Sequence, residues 1–261
     1  MTAIPEKIKQ NMIYAISQLA NFSPRIVLGR TPQAIRIESD LAHPLYNRVV
    51  TYQGALSGNA LDELGKLADD YRARKVPFTW LTWPQDDDVA DLEQALEAIG
   101  LIKVEDMSGM SLSLTDWTYV APAIPGFVIK QIRAPSEMKW FKDIPSVFGL
   151  DGEAGDVFVQ ICEAAAFGEN AVFRHYVGFL DGKPAAAVTA IQDGETIGIY
   201  NVATLEAYRR RGLGSAMTAH AVREGQAAGG RIAVLQASKM GNGVYQSIGF
   251  SDDIAIGVYL G

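Results

Sequence analysis

Tyr208-Arg209-Arg210-Arg211-Gly212-Leu213-Gly214-Ser215-Ala216 is the stretch on which the reading of this chain turns. It lies between an apolar run ending near Thr204 and an amphipathic segment ending near Ala228. An arginine, a glycine three residues on and a second glycine two beyond that make a turn of little side-chain bulk at the start of a helix. The first turn of a helix has unpaired N–H donors and a partial positive charge, so an anion there gains hydrogen bonds and dipole energy together. Gly212 and Gly214 let a phosphate come close to the backbone. Arg209, Arg210 and Arg211 concentrate positive charge in a chain of formal net charge -7. An ordinary basic strand-to-helix loop would carry the same residues, so the flanking elements decide.

Those elements are strongly patterned. A strand over Thr196–Thr204 feeds the loop, and a helix from Leu213 to about Ala228 leaves it and stops at Gly229-Gly230. A strand over Arg231–Ala237, a short helix near Asn242–Ile248 and a last strand to Leu260 complete the chain. Upstream, His175–Leu180 and Ala185–Ile191 pair as a hairpin across Asp181-Gly182. A strand over Phe127–Ile132 precedes them, with helices near Ser136–Val147 and Gly155–Phe167 between. The uncharged, proline-rich run Tyr119–Gly126 reads as a linker.

The first half has its own periodicity. Ile4, Ile8, Met12, Ile16 and Leu19 predict a helix over Pro5–Asn21. Strands at Ala34–Ser39 and Arg48–Tyr52, a helix from about Asn59 to Arg74 and a strand over Pro77–Trp83 follow. Asp86-Asp87-Asp88 reads as the cap of a helix ending at Ile99, and Leu101–Leu114 supplies one or two strands. Strand, helix, glycine and strand recur in both halves, ending at Gly100-Leu101 and Met110–Leu114 in the first and at Gly249-Phe250 and Ile256–Leu260 in the second. The expected organisation is an N-terminal lobe at 1–120, a linker at 121–126 and a second domain at 127–261, a mixed α/β architecture built twice. Before its Asn59 helix the first copy has only Gln53-Gly54-Ala55-Leu56-Ser57-Gly58, which predicts that it does not hold the same ligand.

Composition narrows the classes. With 261 residues and 48% apolar content the chain can bury a core without staples. A single cysteine, Cys162, in a helix-like segment excludes an internal disulfide and reads as structural. His43, His175 and His220 have no ligand spacing, so no metal site is expected. The first twenty residues carry charged and polar residues throughout and no apolar run approaches the length of a membrane span, so neither signal peptide nor membrane segment is expected and a cytoplasmic location is. A pI near 5.0 argues against nucleic acid as a partner.

The ordered set from Thr196 to Phe250 resembles the GCN5-related N-acetyltransferase (GNAT) superfamily, whose loop pattern is Gln or Arg, two residues, Gly, one residue, Gly or Ala. Here those positions are Arg209, Gly212 and Gly214. The likeness covers Phe127 to Gly261, with the first half as a degenerate copy, as in tandem members. It implies an acyl-CoA N-acyltransferase fold with two GNAT-like lobes and acetyl-CoA as acyl donor. The resemblance further implies that the strand ending in Val202, Ala203 and Thr204 splays from the strand containing Val234 and binds the pantetheine arm through its free backbone groups. The pyrophosphate would meet the amides of Arg210, Arg211, Gly212, Leu213, Gly214 and Ser215. The amide of Val202 would face the acetyl carbonyl, where a fixed donor stabilises developing negative charge. Tyr245 matches the tyrosine that protonates the departing thiolate, and Asn242 an asparagine that contacts coenzyme A. Many members place a glutamate base where this chain has Gly198; Tyr200, Glu195 and His175 are the remaining candidates. The expected reaction is direct attack by the amine of a small-molecule acceptor, with the acidic balance favouring a cationic one. The competing readings are an acyl-CoA sensor without turnover and a transferase with an aminoacyl-tRNA donor. A nucleoside-triphosphate enzyme lacks support, since no Gly-Lys-Ser/Thr ending closes the loop.

Overall fold

The computed structural model describes residues 2–56, 58–168 and 171–261; Met1, Ser57, Glu169 and Asn170 lie outside the described residues. In chain order the elements are α1 (Ile4–Asn21), β1 (Val27–Arg30), β2 (Ala34–Glu38), β3 (Arg48–Tyr52), α2 (Ala60–Ala73), β4 (Thr79–Thr82), α3 (Val89–Ala98), β5 (Ile102–Ser113) and β6 (Phe127–Gln131). They continue with α4 (Gly152–Ala166), β7 (Phe173–Leu180), β8 (Lys183–Asp193), β9 (Thr196–Thr204), α5 (Leu213–Ala227), β10 (Ile232–Ala237), α6 (Asn242–Gln246) and β11 (Ser251–Leu260).

Two local expectations are corrected, and one strand was not expected. The span Ser136–Val147 is not an α-helix but lies in two 3-10 segments, Pro135–Trp140 and Pro145–Phe148. Pro145 has no N–H to give and its ring crowds the preceding turn, so a continuous helix cannot cross it. Of the aspartates before α3, Asp88 takes the cap position at φ +58° but makes no side-chain bond to the helix. Four residues with a glycine among them, Val27-Leu28-Gly29-Arg30, carry too little pattern to predict a strand, yet they pair antiparallel with β2 from Val27↔Glu38 to Arg30↔Ile35.

The chain forms two compact units, and neither is a continuous half. One comprises Met1–Ala15 and Gly109–Asp253, the other Ile16–Ser108 and Ile254–Gly261. These units cut across the expected division into 1–120 and 127–261, because strand pairing, not sequence order, sets which segments cohere. Each unit takes its last strand from the other half of the chain. In the N-terminal unit β4 pairs antiparallel with β11, from Gly257↔Thr82 to Leu260↔Thr79. In the C-terminal unit β5 is the neighbour of β10, followed by β9, β8, β7 and β6. Residues 121–126 are irregular, as expected of a connector, and belong to the C-terminal unit.

Each unit has its own core. In the N-terminal unit Leu64, Ala68, Tyr71, Phe78, Trp80 and Leu96 pack with Tyr259 of the terminal strand. Tyr71 stacks on Phe78 at 4.6 Å and donates its hydroxyl to the Ile37 carbonyl at 2.9 Å, so a large apolar ring is buried without orphaning its polar end. In the C-terminal unit α5 presents Leu213, Met217 and Val222 to Val188, Ile197, Ile199 and Leu235. Met217 has no exposed surface, so truncating it to alanine costs about 2–5 kcal/mol. Since Ile197 and Ile199 face α5, the two-residue strand period turns Gly198 and Tyr200 to the opposite face.

Candidate active site

The site begins where two parallel strands part. β9 and β10 pair at Ile232↔Thr196, Ala233↔Ile197 and Val234↔Gly198, and the ladder ends there, although β9 runs on to Thr204 and β10 to Ala237. The sequence places Val202, Ala203 and Thr204 on the parted stretch, where backbone N–H and C=O groups are free on the β10 side to pair with an extended ligand.

A bulge interrupts β9 within that stretch. Its partners on β8 step from Ala187↔Ala203 to Thr189↔Tyr200, so β9 carries one extra residue, and Asn201 adopts φ +52°. Asparagine tolerates this conformation better than most residues, and its side chain is held as well. Asn201 Nδ2 donates to Thr189 Oγ1 at 3.1 Å, and Thr189 Oγ1 is 2.8 Å from His175 Nδ1. His175 Nε2 lies 3.0 Å from the Cys162 carbonyl, an oxygen that only accepts, so Nε2 carries the proton and Nδ1 accepts from the threonine hydroxyl. Burial lowers the His175 pKa to about 4, which the hydrogen bond to Cys162 only partly opposes. The imidazole is therefore a neutral strut behind the bulge, with both nitrogens engaged.

Beyond Thr204 the chain turns through the 3-10 segment Glu206–Tyr208 into the arginine loop. Arg209 is extended, Arg210 has φ +61° and Gly212 φ +78°, so left-handed residues alternate with others just before α5. Alternation of this kind turns successive N–H groups toward one point, a nest for anions. Arg209 Nε donates to the Thr204 carbonyl at 3.2 Å and Arg211 Nη2 to the Ala207 carbonyl at 3.4 Å, which ties the loop to the end of β9. All three arginines are exposed, Leu213 is buried, and Gly214 and Ser215 are half-buried. No side chain caps α5, so its first amides remain available. A Cβ on Gly214 would lie 3.9 Å from Thr204 Oγ1 and 3.8 Å from Val244, so the end of β9, the start of α5 and α6 meet at this glycine.

Helix α6 contributes Tyr245 and Asn242. Tyr245 is half-buried, stands edge-on to Phe250 with ring centroids 6.1 Å apart, and its pKa is pushed up to about 12 by burial. Asn242 is the first residue of α6 rather than its cap, and its Nδ2 donates to Asp252 Oδ1 at 2.6 Å while Gln246 Nε2 donates to Asp252 Oδ2 at 2.6 Å. The structure thus commits the Asn242 amide to a clamp between α6 and β11.

The remaining base candidates do not converge. Glu195 is exposed and bonds Arg231 at 3.2 Å. Cys162, read from the sequence as structural, is buried, with burial pushing its thiol pKa up. Tyr200, raised by burial, donates to Asn11 Oδ1 at 2.7 Å. Asn11 is the residue that sequence reading missed. Its signal was a carboxamide at the 3–4 spacing of Ile8, Asn11 and Ala15 on the buried stripe of α1. It also explains Gly198: a Cβ there would stand 2.1 Å from Asn11 Oδ1 and 2.4 Å from the Tyr200 ring. A concavity of about 560 Å³ lies away from these groups, lined by Lys142, Asp156 and Gln160. An extended groove along a strand is open to solvent and encloses little volume, so the chemistry of the parted strands outweighs concavity in locating the site.

Parted parallel strands, a bulge and a nest at a helix start define an acyl-CoA N-acyltransferase fold. Residues 138–250 match the model of the Acetyltransferase (GNAT) family, which fits the fold just described. Among solved structures, a GCN5-related N-acetyltransferase from Kribbella flavida is 18% identical, with a TM-score of 0.68 over 95% of this chain and 94% of its own. One from Sphaerobacter thermophilus is 11% identical, with a TM-score of 0.67 over 90% of this chain and 82% of its own. A tandem GNAT protein from the clavulanic acid biosynthesis pathway is 12% identical, with a TM-score of 0.61 over 94% and 86%. At these identities the likeness is one of fold, and it includes the tandem arrangement. Among curated proteins no match is found. Among the described residues, no helix is long and apolar enough to cross a membrane.

Proposed function

We propose that this chain transfers an acetyl group from acetyl-CoA to the amine of a small acceptor by direct attack in a ternary complex. The observation that carries the reading is the ladder between β9 and β10 ending at Val234↔Gly198, directly ahead of an uncapped helix start with a left-handed glycine. The residues fit the donor: free strand groups at Val202, Ala203 and Thr204 suit an extended amide-bearing arm. The amides of Arg210 to Ser215, beside three exposed arginines, suit a pyrophosphate. Acetyl-CoA supplies a thioester whose carbonyl carbon accepts the amine and whose thiol leaves. The Val202 amide, held by the bulge, donates to the carbonyl oxygen as negative charge builds there. The Tyr245 hydroxyl, protonated at neutral pH because its pKa stands near 12, gives its proton to the sulfur as the C–S bond breaks. With Gly198 in place of a carboxylate, the acceptor amine arrives neutral and releases its proton to water once the N–C bond has formed.

Calorimetric titration with acetyl-CoA, coenzyme A and ATP tests the first half of this reading. Submillimolar binding of the first two and none of ATP is expected; failure of acetyl-CoA to bind overturns it. The missing carboxylate at Gly198 favours one alternative, an acyl-CoA sensor without turnover. Thiol release from acetyl-CoA in the presence of an amine panel separates the two, because a sensor binds the donor and releases nothing.

A further inference from the structure

A buried polar cluster stands on the face of β9 opposite α5, at the level where the strands part. Asn11 reaches it from α1, a helix that belongs to this unit as far as Ala15. Its carboxamide lies directly over Gly198 and accepts the Tyr200 hydroxyl at 2.7 Å through Oδ1. That bond fixes the orientation of the amide, with Nδ2 as its other end. Asn11 is 1% exposed, yet its Nδ2 has no hydrogen-bond partner. Gln236 on β10 is close enough to the Tyr200 hydroxyl to oppose its pKa rise, yet Gln236 Nε2 makes no well-formed hydrogen bond either. Two carboxamide nitrogens near one tyrosine thus lack a well-formed partner. A buried N–H without a partner is costly, and such groups persist where a ligand completes them.

We propose that Asn11 and Gln236 form the recognition site for the acyl acceptor, and that the acceptor carries an oxygen with free lone pairs, a carboxamide or a carboxylate, beside its amine. This rests on the acyltransferase reading given above. The polarity of the cluster selects the class: Asn11 and Gln236 offer donors, the Tyr200 proton is spent on Asn11, and Gly198 provides no carboxylate to greet a second ammonium group. A polyamine, which brings further donors and no acceptor oxygen, is the wrong complement, although net charge alone would attract it. Discrimination comes from the same asymmetry: a ligand without the oxygen leaves both donors unpaired.

Binding decides the matter without requiring turnover. Alaninamide, alanine and butylamine are titrated calorimetrically into the full-length protein saturated with acetyl-CoA, and into Asn11→Leu and Gln236→Leu. Alaninamide or alanine is expected to bind at least about tenfold more tightly than butylamine, with the variants bringing the three within about threefold of one another. The alaninamide and alanine arms tell carboxamide from carboxylate. Equal binding of all three by the unaltered protein, or discrimination that survives both substitutions, overturns the inference. Gln236 is half-buried, so its variant remains informative if Asn11→Leu fails to fold. Acetyl-CoA affinity is measured on the same samples. Its absence counts against the acyltransferase reading, whereas the acceptor titrations, repeated without donor, still decide whether the cluster recognises an oxygen-bearing amine.

Discussion

The two units build the same parallel strand pair ahead of a helix and treat the gap beyond it in opposite ways. In the N-terminal unit β3 and β4 pair at Arg48↔Thr79 and Val49↔Trp80, and the ladder stops while β3 continues to Tyr52. In the C-terminal unit the ladder stops at Val234↔Gly198 while β9 continues to Thr204. The first gap is filled from within: Trp83 is 1% exposed and donates its indole N–H to the Val50 carbonyl at 2.8 Å, and Tyr52 packs on Trp80 at 5.7 Å. At the second, Val202 and Thr204 stay half-buried, and the loop that follows carries arginines and glycines. Parting the strands is therefore a property of the fold, and ligand binding depends on what the sequence leaves in the gap. A degenerate copy keeps the architecture by spending aromatic side chains where the other keeps backbone free.

The strongest way to break this contrast is to remove the plug. Trp83→Ala is expected to cost about 3–5 kcal/mol, because a large buried ring is lost and the Val50 carbonyl is left without its donor. Urea denaturation measures it. Calorimetry on the folded fraction is expected to give one acetyl-CoA site per chain before and after, since the sequence ahead of α2 has no arginine-glycine pattern; a second site appearing would mean that the aromatic plug alone had silenced the N-terminal gap.

Closing the other gap tests the reverse. Gly214→Leu puts a branched side chain where Thr204, Val244 and the first turn of α5 meet. Acetyl-CoA affinity is expected to fall at least about a hundredfold, the scale of losing charge-assisted bonds to a pyrophosphate, with the thermal midpoint little changed. Undiminished binding would move the pyrophosphate away from this loop. Tyr245→Phe sharpens the contrast further, as it leaves the gap and the nest intact. Turnover at pH 7 is expected to fall about a hundredfold with donor affinity unchanged, and an unaltered rate removes Tyr245 from the acid role.

How much of this was legible in the sequence depends on the range of the contacts involved. Local signals were sufficient for β9, whose alternating Ile197 and Ile199 follow the Asp193-Gly194 turn, and for α5, bounded by Gly212 and Gly229. They failed at Pro145, where an apolar period suggested a helix that the imide ring forbids. Long-range pairing was out of reach. The exchange of β5 and β11 between units leaves no mark on either strand, because a strand's pattern tells which face is buried and not which neighbour it has. The Asn11–Tyr200 bond joins residues 189 apart, so the filling of the Gly198 position from α1 could be read only from the structure.

The smallest effect concerns the strut behind the bulge, and it separates the units by pH. His175 is 1% exposed and walled by Phe141 at 4.9 Å and Phe173 at 5.8 Å between ring centroids, which is why burial holds its pKa near 4. In the unfolded chain the same imidazole titrates near about 6.5. Above that pH both states are neutral and His175 adds no pH dependence. As pH falls from about 6.5 toward about 4 the unfolded state takes up a proton that the folded state refuses, so stability drops across that window, by about 2–3 kcal/mol at its lower end. The N-terminal unit holds no fully buried histidine among its described residues, His43 being half-buried, so acid is expected to loosen the C-terminal unit first. Urea titrations at pH 7.5, 5.5 and 4.5 follow this, and His175→Gln, whose amide can still bridge Thr189 and the Cys162 carbonyl without titrating, should flatten the profile. If the unaltered protein and the glutamine variant lose stability equally on acidification, the acid sensitivity belongs to carboxylates elsewhere and the imidazole has no part in it.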